Sequence, residues 1–437
     1  MAYRPIHLRA ITGSRLRPAI LAAVTMLSSL LPALQAQTYT VIHQFTNASD
    51  GGAPLAGLTI SRDGSKFYGT TSDGGQGGVG TVYQLQQRNS AWILSPLYTF
   101  TFRNEDGTGP NNRVTIAPDG TLYGSTFDGG VFGCVSNLGC GTVYRLQPPM
   151  SACRSALCYW TGTTVYSFSG AADGAYPEGD LIFDPSGKIY GATNAGGNTS
   201  CNVQAQNGCG VVYSLTTSGT QSVIYAFPGG AGGSNPTAGV IQDQAGNLYG
   251  TASTGGSSGC EGTGCGIVYE LSPNGSGWTE TTLYTFQGST DGIAPMGGLI
   301  FDGAGNLYGT TARGGANGGG TVFELTPNGG QWNFNLLYSL TIPLQGHDFP
   351  GPAASLTMDA AGNLYGTTVY DGADSEGAVF KLAHSGGSWN YTSLHDFTGG
   401  IDGAQPRGSL IFDSQGNLYG TASAGGTNEG VAFQIMQ

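Results

Sequence analysis

Positive charge and long apolar stretches are what this chain most lacks. Its 437 residues hold 15 Lys and Arg against 27 Asp and Glu, and charged residues make up only 10%. Four of the basic residues, Arg4, Arg9, Arg15 and Arg17, fall in the first 36 positions, where no acid occurs. The rest of the chain therefore carries 11 basic and 27 acidic residues, a net charge of −16. Such a surface repels phosphate backbones and bare anionic membranes, so nucleic-acid binding is not expected. Beyond residue 36 no apolar run is long enough to cross a bilayer as a helix. Catalytic signatures are missing as well: there is no HExxH, no GxSxG elbow and no Walker loop. Glycine-rich runs such as Gly314–Gly318 lack the βαβ context of a dinucleotide fingerprint. No window shows a helical apolar period.

What is present begins with an export signal. The four N-terminal arginines precede an apolar run from Ala19 to Leu34, broken by Pro32, and Ala36 is the expected last residue before cleavage. Residues 1–36 thus read as a signal peptide, and the mature chain, 37–437, is expected in the periplasm or outside the cell, with no membrane insertion once the signal is gone. All eight cysteines fall in local pairs: Cys134 with Cys140, Cys153 with Cys158, Cys201 with Cys209, and Cys260 with Cys265. An even count in an exported chain points to four short-loop disulfides. The rival, a metal site, would want CxxC spacing or a nearby His, and neither occurs.

Glycine is abundant, at 77 residues, and so are Tyr and Phe, at 22 and 18. Glycine among β-branched and aromatic residues indicates many short strands joined by tight turns. Self-similarity dominates the chain after residue 37. The phrase Gly-Asn-Leu-Tyr-Gly-Thr recurs at Gly246–Thr251, Gly305–Thr310, Gly362–Thr367 and Gly416–Thr421, with looser copies at Phe67–Thr71, Leu122–Thr126 and Ile189–Thr193. Each of the first six units holds four strand signals, a to d, which is the content of one propeller blade. In the fifth unit these are Gly298–Asp302, Asn306–Thr311, Gly320–Leu325 and Trp332–Leu340.

The seventh unit stops after its strand c, Val431–Ile435. An unassigned strand, Tyr39–Phe45, stands at the mature N-terminus and matches strand d of unit six, Tyr391–Phe397. The expected fold is therefore all-β: a single seven-bladed β-propeller of four antiparallel strands per blade, with the N-terminal strand closing the last blade. Blades are expected at approximately 47–105, 106–172, 173–234, 235–290, 291–346, 347–400, and 401–437 together with 37–46. Strand a should be innermost, because the N-terminal strand joins at the outer d position.

The phrases Gly-Asn-Leu-Tyr-Gly-Thr-Thr and Gly-Thr-Val-Phe-Glu-Leu resemble the GloVer-type tandem repeats of secreted bacterial proteins, the choice-of-anchor group, over nearly all of the mature chain. The resemblance implies an exported bacterial repeat protein with no established activity. That group often carries a C-terminal anchoring signal. Here the chain ends on a strand, and anchoring by that route is not expected.

Candidate functional residues lie in the loops. The d–a loops carry a recurring Asp-Gly-x-x-Pro, with Asp50, Asp106, Asp173, Asp291, Asp348 and Asp402, and with Asn235 in the fourth blade. These are expected to ring the channel mouth. There they would bind Ca²⁺ or sugar hydroxyls, or instead satisfy the backbone of their own turns. A second set in the a–b hairpins, Asp63, Asp119, Asp184, Asp243, Asp302, Asp359 and Asp413, is explained by turn chemistry. Three Gly-rich b–c loops carry a Cys pair, which makes one region of that face longer and more rigid, a pointer to a binding surface. Departures from the repeat are His347, Tyr370-Asp371 and Arg313, whereas His43 and His395 replace the Tyr of other d strands.

No cofactor is required by this pattern, although Ca²⁺ would fit the acidic loops. A monomer is expected. The functional expectation is a non-catalytic binding or scaffold module with an extracellular glycan or protein as partner. The alternative is a secreted carbohydrate-active hydrolase or lyase, which would need two or three non-repeated polar residues meeting in one pocket. A purely structural part of a larger cell-surface assembly is the third option.

Overall fold

The computed structural model describes residues 1, 37–102, 106–131, 133–134, 138–149, 159–203, 206–341 and 351–437. Residues 2–36 of the proposed signal peptide lie outside the described residues, as do His347 and Asp348 of the sixth d–a loop. Seven four-stranded antiparallel sheets make seven blades, each running from strand a to strand d in chain order. The last is completed from the other end of the chain. Thr38–Gln44 pairs antiparallel with Val431–Met436, with Tyr39 opposite Ile435 and Gln44 opposite Val431. This supplies the missing outer strand and covers an edge that would otherwise be bare. Among the described residues no helix is long and apolar enough to cross a membrane.

Strand b is the sequence repeat itself, as in Leu307–Thr311, and every residue of it is buried. Strands c and d form long hairpins such as Gly318–Asn328 with Gln331–Thr341. Strand a is shorter than the sequence suggests: in six blades only two residues pair, for example Ile300–Phe301 rather than Gly298–Asp302. Blade 3 is the exception, with Ala175–Phe183. The physical reason is crowding. Ahead of the pairing residues, the innermost chains of neighbouring blades meet backbone to backbone. A Cβ placed on Gly57 would sit 2.1 Å from the carbonyl oxygen of Ser409, so the chain there packs against the next blade rather than against its own strand b.

The core lies between blades. A Phe just after strand d packs on the strand-c aromatic of the following blade. The pairs are Phe100–Tyr144, Phe168–Tyr213, Phe227–Tyr269 and Phe286–Phe323, with ring centroids 5.0–5.3 Å apart. Phe45–Tyr83, at 5.2 Å, carries the same contact from the closing strand to blade 1. The strand-b hydroxyls add a polar link. Thr70, Thr251, Thr367 and Thr421 donate to the carbonyls of Asn112, Gly297, Gly408 and Ala56, each in the next blade round the ring. The repeat is thus conspicuous because each copy must fit its neighbour.

Candidate functional site

A cavity of about 730 Å³ runs along the centre of the ring, lined by the stretch that enters each strand a. In each blade this stretch is the three residues after the loop proline. Most are small or apolar: Leu55-Ala56-Gly57, Thr237-Ala238-Gly239, Met296-Gly297-Gly298 and Ala353-Ala354-Ser355. Three blades break that pattern with charge or amides. Blade 2 has Asn111-Asn112-Arg113, blade 3 has Glu178-Gly179-Asp180, and blade 7 has Arg407-Gly408-Ser409.

Arg113 and Asp180 form an inter-blade ion pair. The Arg113 Nε and one terminal nitrogen lie 2.7 Å and 2.6 Å from Asp180 Oδ2, and the Arg113 backbone N–H donates to Oδ1 at 3.0 Å. Asn112 fastens the same two blades, since its amide donates to the carbonyl of Pro177 and its oxygen accepts from Gly179 N–H. Glu178 lines the channel, surrounded by protein but open to the cavity. Burial pushes its carboxyl up to about 7, against which the bond from Asn194 acts only in part. Asn194 Nδ2 donates to Glu178 Oε2 at 3.0 Å, and Asn194 Oδ1 accepts from Asn235 Nδ2 at 3.2 Å. Asn235 Oδ1 in turn accepts from the Thr254 hydroxyl. A relay of neutral groups therefore orients a carboxyl that is half protonated near neutrality. Arg407 is half-buried in the same cavity, and no carboxylate among the described residues pairs with it.

The loop aspartates sit elsewhere. Asp50 accepts from Thr46 N–H, the Thr46 hydroxyl and His43; Asp173 from Ser169 and Tyr166; Asp291 from Gln287 N–H, Gly288 N–H and Tyr284; Asp402 from Thr398 and His395. Asp106 accepts from Tyr98. Each accepts from the Tyr or His of the preceding strand d, Asp50, Asp173, Asp291 and Asp402 also from their own loops, and none lines the cavity. Asn235 does not occupy the aspartate position of its blade, which falls on Gly232. It is the residue before Pro236, at φ 55°, matching Tyr176, Ala294 and Gln405 at 56°, 56° and 52°. Arg313 pairs its backbone with Ile293 outside the cavity. Among the described residues, no three His, Cys, Asp or Glu gather as a metal site.

Cys134–Cys140, Cys201–Cys209 and Cys260–Cys265 are disulfide-bonded and stand in the b–c loops of blades 2, 3 and 4. Three of the four expected bridges are therefore in place. The fourth expected pair, Cys153 and Cys158, differs in that both of its cysteines lie outside the described residues. The sulfurs of the three bridges pack under Gly170, Gly229 and Gly288 of the neighbouring d–a loops, where a Cβ would come within 2.4–3.1 Å of sulfur. Each disulfide thus closes its own b–c loop and packs it against the neighbouring d–a loop, away from the channel wall.

Sequence reasoning missed Arg113, Glu178, Asp180 and Arg407. The available signal was the tripeptide after each loop proline, where Asn-Asn-Arg and Glu-Gly-Asp stand against Leu-Ala-Gly and its kin.

The fold is shared widely. A polysaccharide lyase, an ulvan lyase, superposes with a TM-score of 0.51 at 14% identity, covering 88% of this chain and 92% of that one. The same enzyme bound to -[GlcA(1-4)Rha3S]- gives 0.50 at 14% identity, with the same coverage. A protein of unknown function from Dyadobacter fermentans gives 0.44 at 11% identity over 92% and 99%. At such identities the likeness is one of fold. No curated protein matches the chain in sequence. The repeat phrases, the four-stranded blades built from them and a family model that matches residues 29–203 and 199–434 lead to one conclusion: the chain belongs to the Gloeobacter/Verrucomicrobia repeat family.

Proposed function

We propose that this protein is an exported binding propeller whose central channel holds a saccharide. One observation carries the reading. The repeat is regular where it builds blades, and charge and amides interrupt it at the channel wall, in Asn111–Arg113, Glu178–Asp180 and Arg407. Repeated polar residues serve the repeat, whereas unrepeated ones that meet in one cavity serve a ligand. Amides, an ion pair and a protonatable carboxyl across the ring from Met296 and Ala353 offer hydrogen bonds on one side and apolar contact on the other. That combination suits a sugar ring. The export signal and the disulfides fit an extracytoplasmic address.

The test is thermal unfolding of residues 37–437 against a panel of soluble oligosaccharides, beside Ala353→Trp, which narrows the channel on its apolar side. At a hundredfold excess over Kd, a ligand specific for the folded state stabilises it by about 2.7 kcal/mol. The melting point should rise with at least one saccharide, and the rise should vanish in Ala353→Trp. No shift with any saccharide, or a shift that the Trp leaves untouched, would sink the channel reading.

A second reading, a carbohydrate-active hydrolase or lyase, has one observation in its favour. Glu178 is a channel carboxyl near 7, the range that suits proton transfer. Product analysis of the same mixtures separates the two: new reducing or unsaturated ends that disappear in Glu178→Gln would make the protein an enzyme.

A further inference from the structure

We propose that the saccharide held in the channel is acidic, with its carboxylate seated on Arg407. This rests on the channel reading above and deepens it.

Outside residues 1–36 the chain carries a net charge of −16, so a cationic spot facing a cavity is unusual in it. Arg113 is already committed: two of its guanidinium nitrogens and its backbone N–H face Asp180. Arg407 is the other channel arginine, half-buried, with no described carboxylate at ion-pair distance. The side chains at the corresponding position of blades 1, 4, 5 and 6, Leu55, Thr237, Met296 and Ala353, are neutral. A guanidinium presents parallel N–H donors that match a carboxylate at two points, and a partly desolvated one gains from such a partner.

Glu178 sets the pH range of this charge. The charged groups that share its cavity are Arg113, Asp180 and Arg407, and its hydrogen-bond donor is the neutral Asn194. While Glu178 is protonated, the wall holds two positive charges against one negative, a surplus of one. When Glu178 ionises, near 7, the surplus is gone. Anion affinity should therefore be high in mildly acidic solution and fall as pH rises through about 7. A hexuronate fits this wall, with hydroxyls for Asn111 and Glu178 and a carboxylate for Arg407.

The experiment titrates residues 37–437 with oligogalacturonate and oligoglucuronate, and with the neutral galactose and glucose oligomers of equal length, at pH 5.5 and 8.0. Expected is at least tenfold tighter binding of an acidic oligomer than of its neutral counterpart at pH 5.5, with that margin shrinking at pH 8.0. Arg407→Gln should erase the margin while leaving the melting point in place, and Arg407→Lys should keep part of it. Glu178→Gln should keep the margin at both pH values. Equal binding of acidic and neutral oligomers, or a margin that survives Arg407→Gln, overturns the acidic-ligand proposal and leaves the saccharide channel standing. If no oligomer binds at all, both fall.

Discussion

Tyr83, Tyr144, Tyr213 and Tyr269 occupy the strand-c position that Phe323, Phe380 and Phe433 hold in blades 5, 6 and 7. Their rings are fully buried, and the four hydroxyls find no hydrogen-bond partner among the described residues. Each lies against the strand-b glycine opposite it; a Cβ on Gly124 would come within 2.4 Å of the Tyr144 oxygen. An unpaired buried hydroxyl costs about 1–3 kcal/mol. Tyr144→Phe and Tyr269→Phe should therefore raise stability, by up to about 1 kcal/mol after the small cavity left behind, as measured by chemical denaturation. Marked destabilisation would mean that the hydroxyls have partners the geometry does not reveal. Gly124→Ala should do the reverse and destabilise strongly, because its Cβ meets a ring with no room to retreat.

Glu178 belongs to the same scale. Its folded carboxyl sits near 7 against an ordinary value of 4.5, so between these pH values the folded state binds more protons than the unfolded one. Stability contributed by Glu178 is thus greatest below about 4.5 and declines as pH rises to about 7. Glu178→Gln should remove this decline and stabilise the protein at pH 8 by a few kcal/mol, since one pKa unit corresponds to about 1.4 kcal/mol. His43 and His395, held below their ordinary value chiefly by burial, impose the opposite slope, with stability lost as pH falls below 6.5. The difference between wild type and variant isolates Glu178. A difference that does not change with pH would contradict its assignment.

Elements separate what the sequence made legible from what it hid. Strands b, c and d were readable because their alternation and their repeated Tyr-Gly are packing demands met seven times over. The closing strand was readable because Tyr39–Phe45 copies Tyr391–Phe397. Its removal should be severe: a chain starting at Thr46 exposes the edge of Val431–Met436, strips Phe45 from Tyr83, and should lose cooperative unfolding or aggregate. Adding a peptide of residues 37–46 should restore part of the melting point, and an unchanged melt of the truncated chain would refute closure. The channel residues were hidden for the converse reason. Arg113, Glu178, Asp180 and Arg407 occur once each, against neutral residues at the same place in most other blades, and only ring closure brings blades 7, 1, 2 and 3 side by side. The repeated aspartates drew notice by their regularity, yet regularity marks the turns they hold. Asn235 shows both effects: it was aligned with those aspartates, whereas its buried amide serves Asn194 and, through it, Glu178.

The whole molecule sets two rival surfaces against each other. One is the channel, where unrepeated polar groups meet. The other is the loop face of blades 2, 3 and 4, clamped by disulfides. Reduction should loosen that face and lower the melting point, while the channel wall, held by inter-blade hydrogen bonds and the Arg113–Asp180 pair, should keep its ligand. The most direct measurement is hydrogen exchange on residues 37–437, with and without the saccharide that shifts its melting most. The account predicts slowed exchange confined to segments around 111–113, 178–182 and 405–409. Protection instead at 128–141, 196–210 and 255–266, with the channel segments unchanged, would place the ligand on the clamped loops and contradict the account.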